Sequence, residues 1–296
     1  MVGYMLAHEQ FTVPELLRIS DWAVHAGFNP LATSDHLQPW QANEGHCGQA
    51  WVTLGSVGER ASPAWIGTTV TCPTLRYNPA AVAEAFSSLS LLYPGRVFLG
   101  VGSGEALNEE PAIGVWPKWP ERWDRLIEAI GVIRALWTGE RVAHHGKYYN
   151  VEAQLYDPPP QPIPLLTAAN GRKSMRRAGQ YGDGLITDPR SWQQYKSEWE
   201  GGARDAGKNP ADMPVLVSNL SWSAIRTGRN RQPNSGDFCR RASRSITTSR
   251  TRPKFSTRPT AKCHCAQMHS DDSPGSGQAE SRCGIEAVDG ESCVWF

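Results

Sequence analysis

Apolar strand-like segments alternate with helical patterns from residue 2 to residue 218, and this alternation limits the fold more than any other feature. Strict β-then-α order with apolar strands indicates a parallel sheet covered by helices. The predicted strands are Val2–Ala7, Pro30–Ser34, Ala64–Thr71, Val97–Val101, Ile163–Ala168, Gly184–Thr187 and Pro214–Ser218. Their number approaches that of a closed (β/α)₈ TIM barrel, which typically has about 250 residues. An open doubly wound sheet is the alternative.

The helices between these strands are predicted from apolar residues that recur at three- and four-residue steps. They are Val13–Ala26, Pro79–Leu92, Glu121–Leu136, Ser174–Tyr181 and Ser191–Ala206. The clearest of these helices is Pro79–Leu92, which has a proline in its first turn and ends before Pro94-Gly95. One segment interrupts the alternation, and its Val142–His145 and Lys147–Val151 are predicted to pair as a hairpin across Gly146.

The composition changes near residue 226 and divides the chain into two predicted parts. Residues 1–225 carry 18 basic and 22 acidic side chains, whereas residues 226–262 carry 11 basic and one acidic. We predict a barrel domain over 1–225 and an irregular tail, rich in Arg, Ser and Pro, over 226–296. Such a composition buries too little apolar surface to offset chain entropy. No eighth strand is identifiable, so the barrel is expected to be incomplete at its C-terminal end. The tail is either a disordered basic arm or, as we favour, a non-native continuation.

Charge and cysteine usage exclude several classes of protein. The 296 residues carry a net charge of +1, and no apolar run reaches the length of a membrane span. Only Cys47 and Cys72 occur in the first 225 residues, and no secretory leader pattern precedes the first strand. We therefore expect a cytoplasmic protein without a membrane or nucleic-acid partner. No metal site is predicted, because Cys263-His264-Cys265 lacks a second cysteine pair.

An acid, an imidazole and an indole follow the second predicted strand, in Ser34-Asp35-His36-Leu37-Gln38-Pro39-Trp40. Polar side chains beyond the carboxyl ends of parallel strands are where α/β folds collect their chemistry. A histidine there can exchange a proton near neutral pH, and a neighbouring carboxylate can orient it. The alternative is a helix N-cap formed by Ser34 or Asp35, with His36 merely exposed.

Four further segments follow predicted strands. His8-Glu9 supplies either an orienting carboxylate or a helix cap, with Thr12 as the rival cap. Gly102-Ser103-Gly104-Glu105 brings a carboxylate into a glycine turn that a ligand can approach closely. Thr68–Pro73 forms either a cofactor wall or a plain strand end, and Ala168–Ser174 can bind phosphate through helix amides or is an ordinary loop.

These segments together resemble the luciferase-like superfamily of flavin and deazaflavin oxidoreductases. The resemblance is strongest to the branch of F420-dependent glucose-6-phosphate dehydrogenases and hydroxymycolic acid dehydrogenases. The strings that carry it are His8–Phe11, Ser34–Trp40, Arg76-Tyr77-Asn78-Pro79, Pro94–Glu109 and Tyr181-Gly182-Asp183-Gly184. They extend over residues 3–220, and the tail has no counterpart.

The resemblance implies a (β/α)₈ TIM barrel of luciferase-like type, commonly a homodimer, with the 5-deazaflavin coenzyme F420 across its C-terminal mouth. It also implies which residues bind the coenzyme. Those expected along its ring are Asp35, the Thr69-Val70 peptide (often cis in this family), Ser103, Gly104, Glu105 and Asn108. Those expected at its phosphate arm are Ala168, Ala169, Asn170 and Gly171.

The implied reaction is hydride transfer between an alcohol or sugar and the deazaflavin. By resemblance, His36 is the general base and Glu105 protonates the reduced ring, while Trp40 and Glu9 steady and orient the reacting groups. Thr187-Asp188-Pro189-Arg190 stands where the sugar-phosphate enzymes have phosphate-binding residues, and Asp188 disfavours a phosphorylated sugar. The Asn43–His46 run is closer to the hydroxymycolate branch. The alternatives are an FMN-dependent monooxygenase of the same superfamily and a truncated, inactive member.

Overall fold

The computed structural model describes residues 2–218, all of which belong to one compact unit. The predicted tail, its basic segment and Cys263-His264-Cys265 lie outside the described residues. Within them, the strands are β1 (Tyr4–Leu6), β2 (Leu31–Thr33), β3 (Ile66–Thr68), β4 (Val97–Val101), β5 (Val142–His145), β6 (Asn150–Ala153), β7 (Leu165–Ala168), β8 (Gly184–Thr187) and β9 (Val215–Val217).

Seven of these strands form one sheet in the order β1-β2-β3-β4-β7-β8-β9, and every neighbouring pair is parallel. The register is continuous, since Leu31 of β2 pairs with Tyr4 on one side and with Ile66 on the other. The sheet confirms the predicted α/β fold of barrel type. The predicted lack of an eighth strand concerns residues outside those described.

The helices that connect the strands are α1 (Val13–His25), α2 (Ala50–Arg60), α3 (Pro79–Leu92), α4 (Ala106–Ile113), α5 (Trp119–Leu136), α6 (Arg172–Tyr181) and α7 (Pro189–Asp205). Helix α3 begins where predicted because Pro79 occupies its first turn and the Asn78 side chain accepts a hydrogen bond from the amide of Ala80 at 2.9 Å. Helices α2 and α4 were not predicted. Across residues 2–218, no helix is long and apolar enough to cross a bilayer.

Two apolar layers lie on the two faces of the sheet, because successive strand residues point to opposite sides. Leu31 packs in the layer under the helices, and its neighbour Ala32 packs on the inner face. The inner cluster consists of Ala32, Phe98, Leu166, Ala168 and Ile186, with Met5, Trp40, Trp65, Val70 and Leu216 packed against it. The inner face therefore leads directly to residues that follow the strands.

Strands β5 and β6 form the predicted antiparallel hairpin, which follows α5 in the chain and is a two-stranded sheet separate from the seven-stranded one. The prediction of Lys147–Val151 as the second strand was displaced by three residues at its start. The cause is a tertiary contact, since the Glu128 carboxylate of α5 accepts hydrogen bonds from the amides of Tyr148 and Tyr149 at 3.0 and 2.8 Å. These bonds hold residues 146–149 as a turn, and β6 starts at Asn150.

Candidate active site

His36 lies between two carboxylates at the carboxyl end of the sheet. Its Nδ1 is 3.1 Å from Oε1 of Glu9, which follows β1, and its Nε2 is 3.7 Å from Oε2 of Glu105, which follows β4. The side chains of His36 and Glu9 are 8% and 5% exposed, whereas that of Glu105 is 24% exposed. The imidazole is therefore buried, and the more exposed of its two carboxylate neighbours is Glu105.

Trp40 joins this cluster from the same loop as His36. Its indole Nε1 donates a hydrogen bond to Oε2 of Glu105 at 3.2 Å, and its ring packs edge-on against the imidazole with centroids 5.2 Å apart. Trp40 also packs against the inner cluster of the sheet. The indole therefore fixes the orientation of the Glu105 carboxylate relative to the imidazole.

Burial shifts the proton affinities of all three groups. It lowers the pKa of His36, although the charges of Glu105 and Asp35 act in the opposite direction. It raises the pKa of Glu105, against the opposing effects of His36 and the Trp40 hydrogen bond. It also raises the pKa of Glu9, whose Oε2 accepts a hydrogen bond from the Ser34 hydroxyl at 2.9 Å. These shifts favour the neutral forms of the imidazole and of the two carboxyl groups beside it.

His8 is a fully buried histidine beneath the cluster, and its own ring nitrogens are both satisfied. Nδ1 lies 2.6 Å from the hydroxyl of Thr33, and Nε2 lies 2.8 Å from that of Thr53. The amide of His8 donates to the Ser34 hydroxyl at 3.0 Å. His8 therefore ties the loop after β1 to the loop after β2, and burial lowers its pKa.

Asp35 is the most tightly held charge in the site, with a side chain only 1% exposed. Its Oδ2 accepts a hydrogen bond from the Thr71 hydroxyl at 2.6 Å. Its Oδ1 accepts from the Arg76 guanidinium at 3.0 Å and from the Tyr77 hydroxyl at 3.1 Å. Both carboxylate oxygens are thus occupied by this chain's own donors, so the side chain fixes the loop that carries His36.

Asn108, in α4, links the loop of His36 to the loop of Glu105. Its Oδ1 accepts hydrogen bonds from the amides of Leu37 and Gln38 at 2.9 and 3.4 Å, and its Nδ2 donates to Glu105 at 3.4 Å. Gln38 returns a bond to the carbonyl oxygen of Leu107 at 2.8 Å. The two loops therefore form one hydrogen-bonded body.

The ends of β3, β4 and β7 meet beside this cluster through small residues. The Thr69-Val70 peptide is cis, and Thr69 Oγ1 is buried with no hydrogen-bond partner among the described residues. A Cβ atom on Gly102 would lie 2.7 Å from Val70 and 3.9 Å from Ala168, so only glycine fits there. Gly104 has a φ of +84°, which favours glycine, and Ser103 beside it is buried.

The end of β7 leads into α6 through Ala169, Asn170 and Gly171. Asn170 Oδ1 accepts hydrogen bonds from the Thr187 hydroxyl at 3.1 Å and the Asp188 amide at 3.3 Å, which joins this loop to the end of β8. Gly171 is the N-cap residue of α6. Amides in the first turn of a helix lack intrahelical acceptors and attract anions.

The structure brings His36, Glu105, Trp40 and Glu9 into one cluster, as the sequence predicted. Asp35 and Asn108 touch the same loops, and Ala168 reaches Val70 and Gly102 across the strand ends. The N-cap alternative for this loop is wrong, because the following helix α2 is capped by Gln49 and His36 is buried. Glu9 does not cap α1 either, since Thr12 is its N-cap residue.

Sequence reasoning assigned no role to Arg76, Tyr77 and Glu109, all of which contact the site. Arg76 and Tyr77 hold Asp35, and Glu109 accepts a hydrogen bond from the Arg76 amide at 2.9 Å. Their positions in the sequence were the available sign that they belong to the site. Arg76-Tyr77 follows the third strand, and Glu109 is four residues beyond Glu105. Position alone does not reveal partners 33 to 42 residues apart.

Comparison with known proteins gives a consistent result. Residues 1–224 match the luciferase-like monooxygenase family. An F420-dependent hydroxymycolic acid dehydrogenase of Mycobacterium tuberculosis is 48% identical over 215 residues, which cover 72% of this chain and 60% of that protein. An F420-dependent glucose-6-phosphate dehydrogenase of Segniliparus rotundus is 50% identical over 188 residues, which cover 62% of this chain and 56% of that protein.

Solved structures agree with the sequence matches. An F420-dependent secondary alcohol dehydrogenase, in complex with an F420-acetone adduct, has a TM-score of 0.71 and 38% identity. The match covers 73% of this chain and 67% of that one. A coenzyme F420-dependent tetrahydromethanopterin reductase from Methanopyrus kandleri has a TM-score of 0.64 at 20% identity, covering 74% and 65%, and supports the fold alone. The chain spans about three fifths of the length of the two dehydrogenases matched by sequence.

Proposed function

This chain belongs to the luciferase-like monooxygenase family, and we propose that it is a dehydrogenase that transfers a hydride between an alcohol and coenzyme F420. The observation that carries the proposal is the buried His36 that lies between Glu9 and Glu105 at the carboxyl end of the sheet. Two relatives at 48% and 50% identity and one solved structure at 38% are named for F420-dependent dehydrogenation.

The described residues fit a flat ring system that carries an anionic arm. Val70, Gly102 and Ala168 approach one another closely enough to form a narrow wall, and the buried Thr69 hydroxyl beside them has no partner among the described residues. We assign the ring to this wall and to Ser103 and Gly104. We assign the phosphate arm to the Ala168–Gly171 segment, where the first-turn amides of α6 attract an anion.

His36 acts on the substrate as a general base in this proposal. Coenzyme F420, when bound, supplies the carbon that accepts the hydride, so the protein has to position the alcohol and remove its proton. A lowered pKa favours the neutral imidazole. We assign its hydrogen to Nδ1, which is buried 3.1 Å from Oε1 of Glu9, although these two atoms do not form a hydrogen bond with each other. Nε2, on the side of Glu105, is then free to accept the hydroxyl proton.

Glu105 acts as the proton donor. Its pKa is raised by burial, so it holds a proton at a higher pH than an exposed glutamate. The Trp40 indole directs its Oε2, the oxygen nearest His36. A base that is neutral and an acid that is protonated in the same pH range are the pair that reversible hydride transfer requires.

Asp188 supports an uncharged alcohol rather than a sugar phosphate as the substrate. Its carboxylate caps α7 by accepting hydrogen bonds from the amide and hydroxyl of Ser191 at 2.9 and 2.6 Å. These bonds keep a carboxylate at the end of β8, where it repels a phosphate. Two matched dehydrogenases are named for a hydroxymycolic acid and for a secondary alcohol, and neither name includes a phosphate group.

The test is a binding titration of the full chain with oxidised F420 and, separately, with FMN, followed by turnover with a panel of alcohols. The panel contains a secondary alcohol, a hydroxylated long-chain lipid and glucose 6-phosphate. Saturable F420 binding with reduction of the deazaflavin by an alcohol supports the proposal. Tighter binding of FMN supports the monooxygenase alternative, and binding of neither supports an inactive chain.

We further propose that the protein is a cytoplasmic homodimer. Trp22 of α1 and Val52 of α2 are 62% and 71% exposed on adjacent helices, and we assign the contact between subunits to this face. Cys47 and Cys72 are free thiols, which suits a reducing compartment. Light scattering of the full chain and of Trp22→Glu tests the dimer, which the charged variant is expected to weaken.

A further inference from the structure

Arg76 is linked to the loops of both members of the proposed acid–base pair without touching either catalytic side chain. Its guanidinium Nη2 donates to the carbonyl oxygen and to the Oδ1 of Asp35, each at 3.0 Å. That carbonyl belongs to the peptide bond that joins Asp35 to His36. The guanidinium therefore holds the backbone from which the imidazole projects.

The backbone of Arg76 makes the second connection. Its amide donates to Oε2 of Glu109 at 2.9 Å, and Glu109 is 2% exposed in α4. The amide of Glu109 in turn donates to the carbonyl oxygen of Glu105 at 3.0 Å, in the first turn of that helix. One residue thus joins the loop after β2 to the helix that begins beside Glu105.

The surroundings of Arg76 hold it in one orientation. The guanidinium lies 4.3 Å from the centroid of the Tyr77 ring and donates to the Tyr77 hydroxyl at 3.0 Å. Its side chain is 11% exposed, and that of its partner Asp35 is 1% exposed. The planar guanidinium, held by the Tyr77 ring and the Asp35 carboxylate, donates its hydrogen bonds in fixed directions. A lysine ammonium supplies the same charge without these fixed directions.

We propose that Arg76 is a positioning residue that sets the distance between His36 and Glu105. This inference rests on the proposed function, because the distance matters only if both side chains serve one reaction. A displacement of about 1 Å at reacting groups can cost on the order of 100-fold in rate. The arginine fork is therefore needed for turnover, and less so for coenzyme binding.

The first test compares Arg76→Lys and Arg76→Gln with the full-length wild type. We expect kcat to fall about 10- to 100-fold in both, with KM and the Kd for F420 changed less than about threefold. The matched control is Arg60→Lys, since Arg60 pairs with Asp21 at 2.8 Å on the surface, and no change in kcat is expected. Arg76→Lys with wild-type kcat would overturn the inference.

The second test needs no turnover and separates this inference from the proposed function. The pKa of His36 is measured by NMR titration of the free protein. Arg76→Gln is expected to raise it, because the guanidinium charge now disfavours the imidazolium, whereas Arg76→Lys keeps the charge and the pKa. The charged or titratable groups around His36 are His8, Glu9, Asp35, Glu44, Arg76 and Glu105.

The combined outcomes are decisive. A moved His36 resonance in Arg76→Lys at an unchanged pKa supports a positional effect even if no alcohol is turned over, in which case only the proposed function fails. An unmoved resonance in both variants overturns the inference whatever the activity. If Arg76→Gln does not fold, Arg76→Lys alone tests the inference. A third measurement is the turnover of Arg76→Ala in added guanidinium, where restored turnover supports the inference.

Discussion

The two sides of the strand ends are held by different kinds of interaction. On the side of β1 to β4, which we call the reaction side, buried charges are joined across loops, as in the pair of Asp35 and Arg76. On the side of β7 and β8, the anchor side, the Asn170 amide connects the loops by hydrogen bonds, and the Asp188 carboxylate caps α7. Proton transfer needs fixed, desolvated groups, whereas holding an anionic arm needs only oriented amides.

Replacing His36 is expected to have the largest effect on the reaction side. His36→Ala removes the general base, so turnover should fall roughly 10²- to 10⁴-fold. Binding of F420 should persist, because the anchor side is untouched. Steady-state kinetics and a binding titration measure the two effects, with His25→Ala on the exposed end of α1 as the control. Unchanged turnover in His36→Ala would remove this residue from the mechanism.

Breaking the buried ion pair should be the largest change in stability. Asp35→Asn leaves the Arg76 guanidinium without its carboxylate, and loss of one partner of a buried pair costs roughly 3–5 kcal/mol. Asp21→Asn removes the same type of pair at the surface, where the side chains are 35% and 44% exposed, and should cost below about 1 kcal/mol. Urea unfolding of both variants measures the difference. Equal losses would mean that the reaction side is no more charge-dependent than the surface.

The pH profile tests how the two carboxylates act on the imidazole. Activity needs a neutral His36, so it is lost as the pH falls through the lowered pKa of this group. It also needs a protonated Glu105, so it is lost as the pH rises through the raised pKa of that group. In this proposal Glu105 is protonated along the acid limb, so Glu105→Gln changes no charge there, and the acid limb should keep its position while kcat falls. The basic limb should disappear, and its persistence would assign it to another group.

The smallest effect is expected at the anchor side. Asp188→Ala removes the N-cap of α7 and should lower the free energy of unfolding by about 1 kcal/mol. Asp188→Asn keeps an oxygen acceptor for the Ser191 amide and should recover most of that loss. Thermal unfolding with urea titration measures both. A loss as large as that of Asp35→Asn would erase the distinction between the two sides.

The sequence predicted the elements with strong local determinants and missed those defined by tertiary contacts. Strands β4 and β8 and helix α3 have the predicted limits. Helix α2 was missed because Gly55 and Gly58 lower its helix propensity. Gly58 is required by packing, since a Cβ atom there would lie 2.2 Å from the Tyr93 ring. Helix α4 was missed because it contains Pro111.

The site was predictable to the extent that its residues follow strands. Parallel strands deliver their carboxyl ends to one edge, so His36, Glu9 and Glu105 were expected to meet. The residues that hold them were not, because a buried arginine such as Arg76 is distinguished from a surface one only by its partners. Glu109 gave the same difficulty, because it is one of two adjacent glutamates in α4.

The hydrogen bonds from Leu37 and Gln38 to Asn108 have a consequence for engineering this protein. Residues 37–40 are coupled to α4, so changes there would also disturb Glu105. Residues 41–43 and 45 are exposed instead. Among the described side chains, the one that bonds to their backbone is Glu44, whose Oε2 accepts a hydrogen bond from the amide of Gln41 at 3.1 Å. Libraries intended to broaden the range of accepted alcohols should therefore vary residues 41–43 and leave the preceding segment intact.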